Sequence, residues 1–209
     1  MISLFIKSAT YPLEIKLVDI SEVGYEVLAI HIEDVQGNAK ASAIFFARII
    51  EILTKNGKTL QDVGAVYIAT GPGSYTGMRL AITIAKTLFL LNDALVLYSA
   101  SLLAIYQKMN RKLELMDDTL ELVFARKGKY YLSGRVDGVV YEDQLFALVD
   151  LAFFTGKRLA INGLIYEDIA EFQMDPSYRM DTDAWIRAST HIEDGYAFEP
   201  YYLEDVNIG

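Results

Sequence analysis

Val63-Gly64-Ala65-Val66-Tyr67-Ile68-Ala69-Thr70-Gly71-Pro72-Gly73-Ser74-Tyr75-Thr76-Gly77-Met78-Arg79 decides the architecture, because it reads as a buried strand, a glycine turn and the start of a helix. The apolar run is short, which predicts a strand from Gly64 to Thr70. Glycine allows positive φ and close approach by another backbone, Pro72 presets φ, and Ser74 or Thr76 can cap the first helical turn. Free N–H groups at that turn make it a candidate anion site. Its spacing matches none of the common phosphate or nucleophile loops. A P-loop places Lys and Ser/Thr after its last glycine, whereas Met78 and Arg79 follow Gly77. The G-x-G-x-x-G fingerprint is one residue tighter than Gly71, Gly73 and Gly77, and Ser74 directly follows Gly73, unlike a nucleophile elbow. Taken as residues alone, the glycines first serve to turn a helix tightly off a buried strand.

Outward from this stretch the pattern is α/β. Residues 2 to 6 are apolar, Leu13, Ile15, Leu17 and Val18 alternate with Glu14, Lys16 and Asp19 as a half-buried strand, and Tyr25 to Ile32 reads as a third strand after Gly24. Thr10-Tyr11-Pro12 turns the first strand into the second, so the three form an antiparallel meander. A helix is predicted over Lys40 to Lys55, ended by Asn56 and Gly57, with Ala41, Ile44, Phe45, Ile49, Ile52 and Leu53 on one stripe and Phe46 and Ile50 widening it. The helix after the glycine turn carries Met78, Leu80, Ala81, Ile82, Ile84, Ala85, Leu88, Phe89, Leu90 and Leu91 with only Arg79 and Lys86 charged. A helix so apolar all round must be covered by something besides its own sheet. A strand over Ala94 to Tyr98 and a helix capped by Ser99 continue the alternation, which argues for parallel strands with crossover helices. Beyond Gln107 a polar stretch, Lys108 to Asp118, leads to strands at Leu120 to Ala125, Tyr130 to Val136 and Val139 to Tyr141. Leu145, Phe146, Leu148, Val149, Ala152 and Phe153 recur at helical spacing. A strand at Arg158 to Ile161, a helix over Tyr166 to Phe172 and a short helix from Asp181 or Thr182 complete the pattern.

Composition narrows the function. With 53% apolar residues in 209, the chain can bury a real core as one domain or two small lobes. A net charge of -9, with no basic cluster larger than Arg126 to Lys129, disfavours direct binding of RNA through its phosphates. Cysteine is absent, which excludes disulfides and thiolate zinc sites. His31 and His191 show no metal-ligand spacing. The amino terminus lacks signal-peptide features and no apolar run reaches spanning length, so no membrane association is expected and the cytoplasm is the default compartment. The acids of the second half, Asp117, Asp118, Glu142, Asp143, Asp150, Glu167, Asp168 and Glu171, form no acid/base pair and read as solvated surface.

Gly71-Pro72-Gly73-Ser74-Tyr75-Thr76-Gly77-Met78-Arg79, followed by Ala85 and Lys86, resembles the signature of the bacterial TsaB (YeaZ) family. Leu60-Gln61-Asp62-Val63-Gly64-Ala65, Ser99-Ala100-Ser101-Leu102 and Pro200-Tyr201-Tyr202-Leu203 are similar to it in order and spacing. The resemblance runs from about Ala39 to Ala104 and returns at the tail. It implies an actin-like, ASKHA fold of two lobes with ribonuclease H-like mixed sheets flanked by helices, in keeping with the opening meander. The lobes are expected at residues 1–103 and 104–209, with the tail packing back on the first. The chain departs from the superfamily where a first strand usually ends in Asp-Thr-Ser, a carboxylate and hydroxyls for metal-bound phosphate: here Lys7, Ser8 and Ala9 follow Ile6. Asn38-Ala39-Lys40 replaces a common His-Ser-Glu, and Glu204 stands where an Arg commonly follows Tyr-Leu.

TsaB proteins are non-catalytic partners of a TsaD-type paralogue. With a TsaE-type ATPase, the assembly threonylcarbamoylates the tRNA adenosine next to the anticodon. The resemblance therefore implies no catalytic residue, metal or cofactor in this chain alone, with ATP and a divalent metal in the partner proteins and tRNA met only through the complex. It places the partner interface on the first two helices, with Phe45, Arg48, Ile49, Ile52, Met78, Ile82, Ala85, Lys86 and Phe89 as contacts. The isolated chain is expected to form a homodimer through the same surface or to be prone to association. The alternative is a small actin-fold kinase or ATPase acting alone, against which Lys7 stands.

Overall fold

The first 33 residues build the predicted meander: β1 (Ile2–Lys7), β2 (Leu13–Ser21) and β3 (Gly24–Glu33) pair antiparallel in that order. A computed structural model of the chain describes residues 1–10, 12–33, 41–92, 94–112, 119–126, 129–161, 164–166 and 179–199. The chain continues through α1 (Ala41–Lys55), β4 (Val63–Ala69), α2 (Tyr75–Leu91), β5 (Val96–Ala100) and α3 (Leu102–Lys112). β4 lies parallel to β1 and β5 parallel to β4, as crossover helices require. The second half supplies β6 (Thr119–Arg126), β7 (Lys129–Val136), β8 (Val139–Ala147), a 3-10 helix (Leu148–Phe154), β9 (Arg158–Ile161) and β10 (Leu164–Tyr166). α4 (Thr182–Ala188) and β11 (Thr190–His191) follow.

Two sheets result, ordered β11-β5-β4-β1-β2-β3 and β10-β9-β6-β7-β8. Each contains an antiparallel meander whose first strand has a parallel fourth strand on its other side. One topology is therefore used twice, without a sequence repeat to announce it. The copies part company at the fifth strand, because β10 folds back antiparallel on β9 where β5 crosses over through α2. This is the mixed α/β, two-sheet fold that the sequence implies. The expected boundary after residue 103 falls within the first turn of α3. Residues 179–199 return to the first sheet: β11 pairs with β5, and Trp185 of α4 is buried against Phe5 at 5.2 Å, edge to face. Pro200-Tyr201-Tyr202-Leu203 and the rest of the tail lie outside the described residues.

The core explains where pattern reading went astray. One apolar cluster joins α1 and α2 to Leu4, Ile6, Ile15, Leu17, Val66 and Ile68. A second, on the opposite face of the same sheet, joins α3 and α4 to Phe5, Val18 and Tyr67 and takes in Val123 and Tyr131 of the second sheet. A sheet covered on both faces has no solvent side. Glu14 and Lys16, placed by alternation on a wet face, are therefore buried. The same reasoning corrects Leu145 and Phe146. They belong to β8 and not to a helix, one packing toward the second cluster and the other toward the third, and only Leu148–Phe154 is helical. Ser99 and Ala100 end β5, so the cap of α3 is Ser101, whose Oγ accepts from the Ala104 N–H at 3.1 Å. Tyr166 ends β10, and the rest of the helix predicted to Phe172 is outside the described residues. Among the described residues no helix is long and apolar enough to cross a membrane.

Because Trp185 carries the carboxy-terminal segment onto the first sheet, Trp185→Ala should lower stability by about 3–5 kcal/mol. Urea unfolding followed by circular dichroism measures this, and a loss below about 1 kcal/mol would show that α4 contributes little to the core.

Candidate functional site

The glycine turn lies where the sequence places it, between the end of β4 and α2, and its backbone is engaged by the chain itself. Ser74 caps α2, its Oγ accepting from the Gly77 N–H at 3.3 Å, while its own N–H donates to the Ala9 carbonyl at 2.6 Å. Ser8 Oγ donates to the Gly77 carbonyl at 2.7 Å. A Cβ on Gly77 would sit on the Ser8 carbonyl oxygen, and one on Gly73 on the Ala9 carbonyl, so what these glycines admit is the backbone that follows β1. The Gly71 carbonyl accepts from the Leu102 N–H at 2.5 Å and ties the turn to the start of α3. Pro72 is buried, Thr76 exposed and Tyr75 half-buried. Arg79 is exposed and bends back over the Tyr75 ring, 5.4 Å from its centroid, with a 3.3 Å hydrogen bond to its hydroxyl. A cleft of about 430 Å³ opens beside the turn, lined by Thr70, Ser99, Ser101, Thr190, Phe198 and Glu199. Thr70 Oγ1 is committed to the Ala100 carbonyl, and Glu199 brings negative charge, a poor match for phosphate.

Where superfamily members place a carboxylate after the first strand, this chain buries a cation. Lys7 is fully enclosed, and among the described residues its Nζ has no hydrogen-bond partner. Burial pulls its pKa from 10.5 down to about 8, partly offset by Glu14 and reinforced by Lys16 and Arg179. Glu14, opposite Lys7 in the β1–β2 register, pairs with Lys16 at 3.1 Å and accepts from the Met180 N–H at 3.2 Å. Lys16 Nζ also donates to the Met180 carbonyl and, at 3.1 Å, to Thr182 Oγ1. Tyr106, facing Thr10, is buried so deeply that its phenol pKa is pushed well up. Glu14 and Lys16 escaped pattern reading because alternation assigned them to a solvent face. The available signal was the i, i+2 pairing of Glu14 and Lys16, which puts opposite charges on one strand face beside Lys7.

His31 and His191 occupy opposite edge strands of the six-stranded sheet, about 24 Å apart at the usual strand spacing, and cannot share a ligand. His31 Nε2 lies 3.1 Å from Glu33, and His191 rests beside Tyr98. Among the described residues no group of three His, Asp or Glu side chains is placed to hold a metal ion.

The expected interface needs the largest correction. Phe45, Ile49, Ile52, Met78, Ile82 and Ala85 are buried inside the subunit, because both helices face their own sheet with these positions. Lys86 donates to the Tyr196 carbonyl at 2.7 Å, and Phe89 packs edge to face on the Tyr196 ring at 5.3 Å, so the returning segment covers both. Arg48 pairs with Glu51 at 2.6 Å and with Glu33 at 3.7 Å. Among the described residues, the large apolar side chains that these helices leave exposed are Ile50 on α1 and Leu90 and Leu91 at the end of α2.

The family described as TsaD, tRNA N6-adenosine threonylcarbamoyltransferase, matches residues 40–144, half of the chain and the part that holds the glycine turn. The chain belongs to the TsaD family. No curated protein matches it. Among solved structures it is similar to YeaZ from Pseudomonas aeruginosa, at 18% identity with a TM-score of 0.51 over 70% of this chain and 66% of that one. An uncharacterized protein with similarity to peptidase YeaZ from Pseudomonas aeruginosa matches at 20% identity, with the same TM-score of 0.51 and the same 70% and 66% coverage. The chain thus spans just under two thirds of these relatives, and what it shares with them is the fold. By fold it is a divergent, YeaZ-like member of the TsaD family.

Two measurements test the assignment of this family's turn and buried cluster to structure. Gly77→Ala should destabilise by on the order of 1–3 kcal/mol, because α2 must lift off the Ser8 carbonyl; an unchanged urea midpoint would refute the close-approach account. Lys7→Met leaves the Glu14–Lys16 pair neutral. With its folded pKa about 8 against 10.5 unfolded, Lys7 costs the native state about 3 kcal/mol below pH 8, a cost that fades as pH rises through the window from 8 to 10.5. The variant should be the more stable at pH 7 by up to that amount and the two should converge near pH 10.5. A gap that stays constant with pH would show that Lys7 is not the titrating group.

Proposed function

We propose that the chain is a non-catalytic, YeaZ-like component of tRNA threonylcarbamoylation that acts on a TsaD-type partner and not on substrate. The observation that carries this reading is the closed phosphate position. Lys7 stands in place of a carboxylate, and the turn spends its Ser74 and Gly77 N–H groups and its glycine clearance on the chain's own backbone. Family membership supplies the process. Transfer of threonylcarbamoyl to the adenosine amine needs a site that holds the activated donor beside that amine, and this role falls to the TsaD-type protein with its ATP and divalent metal. A TsaE-type ATPase completes the cycle. The net charge of -9 fits contact with tRNA through the partner. The cytoplasm, where tRNA is modified, is the compartment this role requires.

The partner meets the outer sides of α1 and α2, where Ile50, Leu90 and Leu91 present apolar side chains to solvent. Each Leu or Ile sealed there contributes about 1.5–3 kcal/mol before the cost of association. Co-expressed with a TsaD-type protein, the chain should co-elute with it, and Leu90→Asp with Leu91→Asp should weaken retention at least about tenfold. Depleting the chain should remove the modified adenosine from tRNA, read by nucleoside mass spectrometry. Intact modification after depletion, or ATP turnover by the purified chain alone, would overturn the proposal.

A further inference from the structure

We propose that Tyr196, carried by the returning segment onto α2, is the anchor this chain offers to the TsaD-type protein, filling an apolar pocket with a basic rim. The inference rests on the role proposed above and names a contact that neither helix supplies. The segment from Ile192 to Phe198 crosses α2 between two fixed points. At one end the Ile192 N–H donates to the Leu97 carbonyl at 2.9 Å, and at the other Phe198 is buried in the cluster that joins α1 and α2 to the sheet. Between them the backbone lies close on the core: a Cβ on Gly195 would stand 2.9 Å from the Phe89 ring and 3.1 Å from Leu97. Asp194 Oδ1 accepts from the Tyr196 N–H at 2.9 Å and from the Ala197 N–H at 3.2 Å, closing a turn that leaves residues 196 and 197 on the outside.

Tyr196 is therefore fixed before any partner arrives. Its carbonyl accepts from Lys86 Nζ at 2.7 Å, its N–H is spent on Asp194, and its ring meets Phe89 edge to face at 5.3 Å. The residue is nonetheless 62% exposed, and among the described residues its hydroxyl makes no hydrogen bond. A fixed aromatic ring left in water brings a large apolar area to an interface and loses little rotamer freedom there. On α2, Lys86, Phe89 and Leu90 share one side by their i, i+3, i+4 spacing, so the ring adjoins the exposed Leu90 and continues the surface assigned to the partner. The neighbouring charges define the chemistry that fits it. Glu193, Asp194 and Glu199 lie within three residues of Tyr196, all three are exposed, and among the described residues none forms an ion pair. Carboxylates around an exposed phenol are complementary to an apolar pocket bordered by Lys or Arg.

Titrated against a TsaD-type protein, Tyr196→Ala should lose about tenfold or more in affinity with its urea midpoint unchanged, while Tyr196→Phe should keep most of the affinity. Glu193→Lys with Glu199→Lys should weaken association and flatten its dependence on salt. Because the chain has no cysteine, Tyr196→Cys can be labelled with a maleimide. Saturating partner should slow that labelling and leave Val23→Cys unaffected, at a residue 99% exposed on the turn between β2 and β3. Unchanged or tighter binding by Tyr196→Ala, a loss of affinity that tracks a lowered urea midpoint, or labelling at 196 that the partner does not slow would overturn the proposal. If Leu90→Asp with Leu91→Asp weakens retention while Tyr196→Ala does not, this inference fails and the proposed function stands. A wild-type chain that the TsaD-type protein does not retain would sink both.

Discussion

The contact between Gly77 and the backbone at Ser8 sets the position of much else. Because no side chain intervenes, the first turn of α2 rests on the carbonyl that follows β1, and Ser8 Oγ, the Ala9 carbonyl and Ser74 Oγ satisfy one another's backbone groups across it. That fixes the angle at which α2 leaves the sheet. Through the bond from Leu102 N–H to the Gly71 carbonyl, it also fixes where α3 begins. A loop with the look of an anion cradle is thus a joint. Its Ser74 and Gly77 donors and its glycine clearance are consumed by the fold.

Burial on both faces of the first sheet is the second constraint, and it bears directly on function. Charges on β1 and β2 that would be wet in a one-sided sheet are sealed, and they survive by pairing: Glu14 with Lys16, and Lys16 with Met180 and Thr182. Those contacts latch the returning segment onto the β1–β2 hairpin. A buried pair is weak support for stability when compared with apolar residues of like size, but breaking one partner is costly. Lys7, directly after Ile6, is thus held among interior charges, which supports the non-catalytic role proposed above. Lys7, whose Nζ has no hydrogen-bond partner among the described residues, is the strain in this arrangement.

The repeated strand order shows how the same architecture serves two purposes. In the first sheet α2 returns the chain for a parallel fifth strand, and two helical layers follow. In the second a tight return gives an antiparallel hairpin and a smaller core around Leu120, Leu132 and Phe154. The first lobe thus carries the joint, the buried charges and the exposed helix ends, while the second supplies Val123 and Tyr131 to close the underside. Fold alone does not name an activity. Here the residues at Lys7 and the turn are what support the proposed role.

Local spacing determined a good deal by itself. The meander, the strand-turn-helix at Val63 to Leu91, the helix ending at Lys55 and the short helix starting at Asp181 or Thr182 follow from period and end signals that act within a few residues. The apolar excess of α1 and α2 was also legible, but apolarity says only that a side chain avoids water, not which surface covers it. Tertiary structure decided that Phe45, Ile49 and Ile82 face their own sheet, that Tyr196 covers Phe89, and that Leu90 and Leu91 stay outside. It likewise decided that Glu14 and Lys16 are buried, since alternation marks two faces and cannot tell whether a distant segment, here residues 179–188, seals the second. Contacts between residues more than a hundred positions apart leave no trace in local periodicity, and those contacts hold the answer to what this protein keeps inside and what it offers to others.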